Sequence, residues 1–126
     1  MIKFFDQDYR WNWVDSNNNF VGYSNDADCC ERYGYHLVDL KNKIILDQDS
    51  FLQDSNLVWD TSWIDSDFNV SNLEGINDLD FSFDDDELEI KTFKVKNADN
   101  VYLVLYNSHN GYYSHGWEAF GQDGGI

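Results

Sequence analysis

Apolar and polar residues alternate along the first part of the chain, as they do in a half-buried β-strand. Tyr9, Trp11 and Trp13 fall on one side of an extended segment. Residues 15–19 then supply turn-forming Asp, Ser and Asn, and extended character resumes after them. Two extended segments joined by a short polar turn are typical of a β-hairpin, so we predict one over residues 9–23.

The pattern is weaker in the stretch that follows the hairpin. A short helical turn is predicted over residues 29–33 and is ended by Gly34, a common helix-terminating residue. Two short strands are predicted next, over residues 35–40 and 43–46. Residues 47–78 scatter apolar side chains among Asp, Ser and Asn. This composition predicts either short helices or a long ordered loop that carries aromatic anchors.

Alternation returns at Leu79 and continues through the C-terminal part of the chain. Leu79, Phe81 and Phe83 alternate with polar residues, and residues 88–95 repeat the pattern. The apolar run over residues 101–106 indicates a strand that is buried on both faces. We therefore predict a strand in each of these three segments.

A closing strand is predicted over residues 112–120, and the glycine-rich end at 121–126 is expected to fray. The length suits a single domain over residues 1–126. The predicted fold class is α+β, mostly antiparallel β-sheet with one or two short helices. The core is expected to draw on several strands and to contain Val104, Trp11 or Trp13, and Tyr112 or Tyr113.

Composition shows that the chain is strongly acidic and rich in aromatic residues. Asp and Glu number 24 against 8 Lys and Arg, a formal charge of −16, and 17% of residues are aromatic. Acidic disordered chains are poor in aromatic residues, so this chain is expected to fold. Like charge argues against direct binding to nucleic acid or to an anionic membrane. A basic protein surface is the natural partner, although solubility alone or adaptation to salt would also select acidic residues.

The N-terminal residues and the cysteines bear on the compartment. The first residues hold no long apolar run, so no signal peptide is predicted, and no stretch is long enough to cross a bilayer. Cys29 and Cys30 are adjacent and cannot form an ordinary structural disulfide. We predict that both are reduced, buried and free of metal, in the cytoplasm of a bacterial host.

The densest acidic run is the candidate partner-binding site. Its spacing matches a calcium loop in part, but Phe83 stands where the loop needs glycine and neither flank has a helical pattern. We therefore predict a turn whose carboxylates face a basic partner. The predicted site residues are Asp84, Asp85, Asp86, Glu87, Asp65 and Asp67.

Catalytic and metal-binding motifs are not evident. His36, His109 and His115 have no customary zinc-ligand spacing with the cysteines, although His109 and His115 could approach each other across a hairpin. The chain has no phosphate-binding glycine loop and no serine nucleophile motif. We predict that it is not an enzyme and needs no cofactor. A metal-binding or small-molecule-binding domain and a small hydrolase are the alternatives.

Two segments of the chain have distinctive motifs. The first joins Asp26-Ala-Asp-Cys-Cys-Glu31 to Tyr35-His-Leu-Val-Asp39, and the second runs from Val101 to His115 and contains Asn-Gly-Tyr-Tyr-Ser. Together they resemble a family of small bacteriophage and bacterial proteins that is described only as a domain of unknown function. The resemblance covers about a quarter of the chain. It implies a phage or prophage setting and a compact β-rich fold, and it implies no activity.

Charge and the resemblance together lead to a functional hypothesis. An acidic phage protein can occupy a nucleic-acid-binding surface of a host protein when its carboxylates take the place of phosphates. We expect an inhibitor or DNA mimic of this kind, directed at a CRISPR effector, a restriction nuclease or another basic host protein. Aromatic residues would supply short-range anchors.

Overall fold

A computed structural model describes residues 1–26, 31–53, 56–63, 68–109 and 114–126. The described part contains nine strands, one α-helix and one 3₁₀ turn. The strands are β1 Lys3–Gln7, β2 Arg10–Val14, β3 Phe20–Ser24, β4 Arg32–Asp39, β5 Ile44–Ile45, β6 Leu88–Lys94, β7 Val101–Ser108, β8 Gly116–Ala119 and β9 Gln122–Gly125. The helix α1 spans Gln48–Phe51, and the 3₁₀ turn spans Val70–Leu73.

The strands form two antiparallel sheets that pack face to face. The first sheet has the order β1-β2-β3-β8-β9, and the second has the order β5-β4-β7-β6. Trp13, Tyr23 and Trp117 of the first sheet share one buried core with Leu103 and Leu105 of the second. These side chains come from alternate positions of their strands, as the period of two requires.

The predicted fold class α+β is wrong, because the described chain is all-β with only a four-residue helix. Tyr33 and Gly34, placed in a helical turn by the sequence pattern, lie in strand β4, while residues 27–30 fall outside the described residues. Asp and Asn side chains account for the scarcity of helix in the central segment. Asp60 accepts a hydrogen bond from the Ser62 amide, which favours a turn over a helix.

Residues 68–87, here called the outer layer, cover the other face of the second sheet. Its buried residues Leu73, Ile76 and Phe81 pack in a second core with Val104 and Tyr106 of β7. The prediction that Val104 shares a core with a tryptophan is therefore wrong. Val104 and Leu103 are neighbours in one strand and point to opposite faces, so the two residues belong to different cores.

The N-terminal hairpin is confirmed, with Trp13 opposite Val21 in the register of β2 and β3. Strand β1 was not predicted, and it extends this sheet beyond the hairpin. Fraying of the C-terminal end is also wrong. Strand β9 pairs with β8, and Ile126 is buried while it exchanges backbone hydrogen bonds of 2.7 and 3.0 Å with His115.

Trp59 confirms the expectation of an aromatic anchor in the central segment. Its indole Nε1 donates to the Trp13 carbonyl at 3.1 Å, and its backbone amide donates to the Asp15 carboxylate at 3.0 Å. Buried hydrogen bonds of this kind hold the irregular segment against the N-terminal hairpin. The segment is thereby fixed at one end of the first core.

Candidate functional site

The predicted acidic residues lie at the end of the outer layer, just before strand β6. Successive turns fold this part of the chain, since the Asp85 amide donates to the Ser82 carbonyl and the Leu88 amide to the Asp85 carbonyl. Three of the predicted residues have exposed side chains: Asp84, Asp86 and Glu87. Asp65 and Asp67 lie outside the described residues, so their relation to this group stays a prediction.

Asp85 has a different role from its acidic neighbours. Its carboxylate accepts a short hydrogen bond from the Ser108 hydroxyl of β7 and a second one, of 2.9 Å, from the Glu87 amide. The Ser108 hydrogen bond, followed by the Glu87 amide and the positive charge of Arg32, lowers the pKa of Asp85. Asp85 therefore fixes the acidic turn to the sheet, and its place in a partner-binding site stays a prediction.

A second anchor holds the outer layer through His36 of β4. The Asp80 amide donates to His36 Nε2 at 3.1 Å, and the His36 ring stacks on Tyr106 with centroids 5.3 Å apart. Burial lowers the pKa of His36, and the Asp80 carboxylate opposes that effect in part. Burial, together with the charge of Asp80, raises the pKa of Tyr106 to about 12. Only neutral His36 has a ring nitrogen that can accept a hydrogen bond from the Asp80 amide.

Phe81 provides the apolar contact between the two anchors. Its ring is buried against Tyr106 at a centroid distance of 5.0 Å. Two residues later, the Phe83 ring contacts Phe81 at a centroid distance of 6.0 Å and is 41% exposed beside the acidic turn. The outer layer thus presents one large exposed aromatic ring next to its carboxylates.

Charge of one sign dominates this part of the chain. Residues 44–90 contain 14 acidic residues and no Lys or Arg, and seven of those acidic residues belong to the outer layer. Lys43, in the turn before β5, contacts the layer, where its Nζ donates to the Asn72 carbonyl at 2.7 Å. The outer layer itself therefore carries a net negative charge.

A buried ion pair lies elsewhere, at the junction of the two sheets, and sequence patterns did not reveal it. His115 Nε2 lies 2.5 Å from Glu31 Oε1, and the Glu31 side chain is completely buried. His115 Nδ1 lies 3.0 Å from the Ser24 carbonyl, and Tyr33 stacks on the ring at 4.1 Å. The residues are 84 positions apart, so no local spacing could identify the pair.

Both ring nitrogens of His115 face oxygen acceptors of the protein, which makes the pair a structural cross-link. Asn107 extends it, because its Nδ2 donates to Glu31 Oε2 at 3.2 Å and to the Ile126 carbonyl at 3.1 Å. His109, which the sequence allowed to approach His115 across a hairpin, contacts Glu89 at 3.0 Å. The cluster therefore ties the C-terminal end to the second sheet.

Within the described ranges, no group of three or more His, Cys, Asp or Glu side chains is arranged to hold a metal ion. The same part of the chain contains no helix of sufficient length and apolar character to cross a membrane. Cys29, Cys30, Tyr112 and Tyr113 lie outside the described residues. Their predicted burial and chemistry stay predictions.

Comparison with known proteins gives no relative: no family model matches the chain, and neither the curated proteins nor the solved structures contain a match. The resemblance to the phage and bacterial family of unknown function stays a prediction.

Proposed function

We propose that the protein is an acidic binding protein that occupies a basic, nucleic-acid-binding surface of a host protein. The observation that supports this function is the outer layer, in which exposed carboxylates surround Phe83 on a segment without a Lys or Arg residue. Charge of one sign steers encounter with a basic partner, and an exposed aromatic ring supplies contact area after encounter.

The construction of the layer supports recognition better than a mobile acidic loop would. Ser108 holds Asp85, His36 holds the Asp80 amide, and Phe81 is buried between these two points. A segment ordered before binding loses less conformational entropy when the partner arrives. The backbone that carries the carboxylates of the turn is therefore ordered before the partner binds.

The partner class follows from what the surface would replace. Proteins that bind nucleic acid neutralise phosphates with Lys and Arg, and a rigid array of carboxylates competes for the same side chains. We propose a defence nuclease of the bacterial cytoplasm, a CRISPR effector or a restriction enzyme, as the target of a phage-derived inhibitor. The protein is proposed to bind the target without catalysing a reaction.

The test combines capture with competition. The immobilised protein is exposed to a bacterial lysate at low salt, and proteins eluted at high salt are identified and purified. Each captured protein is then loaded with labelled DNA or RNA, and release of the label on addition of the acidic protein is measured. For a captured CRISPR effector or restriction nuclease, inhibition of cleavage by the acidic protein is measured as well. Displacement of nucleic acid at equimolar protein is the expected result.

A triple variant tests the site: Asp84→Asn, Asp86→Asn and Glu87→Gln. Asp85 is left intact because its contact with Ser108 holds the turn. The variant is expected to slow association more than it speeds dissociation, since exposed charges mainly steer encounter. The matched control removes three exposed charges outside the outer layer, with Asp6→Asn, Asp49→Asn and Asp99→Asn. Equal effects of both variants would assign the binding to net charge and would refute the site.

A further inference from the structure

The tip of the β1–β2 hairpin carries an aromatic side chain in an unusual position. Asp8 and Tyr9 form a two-residue turn, and both have left-handed backbone angles, with φ of 57° and 60°. Such turns favour Asn and Gly, and a bulky residue with positive φ is rare. The Tyr9 side chain is nevertheless 74% exposed, so burial does not compensate for this conformation.

The backbone at this tip is held firmly. The Asn25 amide donates to the Tyr9 carbonyl at 2.9 Å, and Asn25 Nδ2 donates to Asp6 Oδ1 at 3.0 Å. Tyr33 in turn donates its hydroxyl to the Asn25 carbonyl at 2.9 Å. The backbone that carries Tyr9 is therefore fixed, so a contact made by its ring would cost little backbone conformational entropy.

A groove of about 610 Å³ opens beside Tyr9 on the outer face of the first sheet, and we call it the tip groove. Gly116 of β8 lies along it, and a side chain added there would meet no atom closer than the Gly124 carbonyl oxygen at 3.8 Å. The groove is open because this position lacks a side chain. The fold itself does not require glycine there, since an ordinary side chain would fit.

Charge in the tip groove favours a cation. Arg10 lies flat over Gly22, where an added Cβ would come within 2.3 Å of its guanidinium, and it pairs with Glu118 at 3.4 Å. Arg10 is the one basic side chain among the described residues of the lining. The remaining ionised residues of the lining are Asp8, Asp26 and Asp123.

We propose that the tip groove binds the side chain of an arginine presented by a peptide or protein partner. A guanidinium group is planar, so it can stack on the Tyr9 ring and donate paired hydrogen bonds to a carboxylate. The site is separate from the outer layer, because the two surfaces lie on opposite faces of the sandwich. The proposal therefore goes beyond the function proposed above and does not depend on it.

The test is a titration of the full chain with the peptide acetyl-Gly-Arg-Gly-amide, followed by two-dimensional amide NMR. Saturable shifts are expected at the amides of Tyr9, Gly116 and Asp123. The same peptide with citrulline in place of arginine is the matched control, because citrulline has the same shape without the charge. Equal shifts with both peptides would overturn the assignment of a cation site.

Three single variants locate the site. Tyr9→Gly is expected to weaken binding about two- to fivefold, as the loss of an exposed cation–π contact should. Its thermal midpoint should not fall, because glycine prefers the left-handed turn. Gly116→Val narrows the groove and should weaken binding, and Tyr9→Phe should retain it.

The outer-layer triple variant separates this proposal from the proposed function. It is expected to leave the affinity for the arginine peptide unchanged. Shifts confined to the outer layer, or full affinity in Gly116→Val, would overturn the tip groove as an arginine site and leave the proposed function standing. If the protein does not displace nucleic acid but still binds the arginine peptide, the proposed function would be wrong and the tip groove would stand as an arginine site.

Discussion

Replacement of Phe81 by alanine tests whether the acidic surface depends on the second core. The Phe81 ring is 8% exposed and contacts Tyr106 and His36 at centroid distances of 5.0 and 6.0 Å. Removal of a buried phenylalanine costs about 3–5 kcal/mol. Because the outer layer is irregular and open to solvent on one side, we expect the lower end of this range, about 3 kcal/mol.

The matched control lies two residues further along the same segment. Phe83 is 41% exposed, so Phe83→Ala should change the free energy of unfolding by less than about 1 kcal/mol. Urea unfolding followed by tryptophan fluorescence measures both variants. Hydrogen exchange should show faster exchange at the amides of Asp80 and Asp85 in Phe81→Ala, with the β7 amides still protected.

The functional consequence is that Phe81→Ala should weaken partner binding although the net charge is unchanged. Phe83→Ala should weaken binding by loss of contact, with stability retained. Equal stability of the two variants would show that Phe81 does not hold the layer, and the anchoring argument would then be wrong. Retained protection of Asp80 and Asp85 in Phe81→Ala would lead to the same conclusion.

Two further predictions concern titratable groups in the interior. The pKa of His36 is lowered in the folded protein, so the unfolded chain binds more protons between that pKa and about 6.5. Stability should therefore fall as pH decreases through this window, and His36→Gln should remove that part of the dependence, as measured by urea unfolding at pH 7 and pH 5. Glu31→Gln should cost about 1–3 kcal/mol, because the amide replaces one of the two buried carboxylate oxygens that contact His115 and Asn107. Thermal unfolding measures this loss, and a change below about 1 kcal/mol would contradict the cross-link assigned to the pair.

Sequence patterns predicted the strands whose alternation is regular. The hairpin of β2 and β3 is confirmed because a period of two reports burial on one face, and β7 is confirmed because its continuous apolar run reports burial on both. The same alternation at Leu79, Phe81 and Phe83 predicted a strand that does not form. Asp78 has a left-handed φ of 70°, and the Ser82 hydroxyl accepts from the Asp84 amide, so local side-chain bonds turn the backbone.

The remaining errors come from long-range contacts that composition cannot report. Strand β9 is glycine-rich and has weak strand propensity, yet it is paired along its length with β8. Glu31 and His115 meet only because β4 and β8 lie at the junction of the sheets. The exposed carboxylates of the acidic turn could be placed from sequence, whereas the anchoring role of Asp85 depends on a serine 23 positions later.

Salt separates the proposed binding role from solubility through effects of opposite sign. Higher ionic strength screens repulsion within a chain of charge −16, so the free energy of unfolding should rise with salt. Association with a basic partner should weaken over the same range, because the Debye length falls from about 10 Å at 0.1 M to about 3 Å at 1 M. In the outer-layer triple variant, the free energy of unfolding and the affinity for the partner should both depend less strongly on salt concentration. A steep slope for stability combined with a flat slope for association would mean that the acidic residues serve solubility alone.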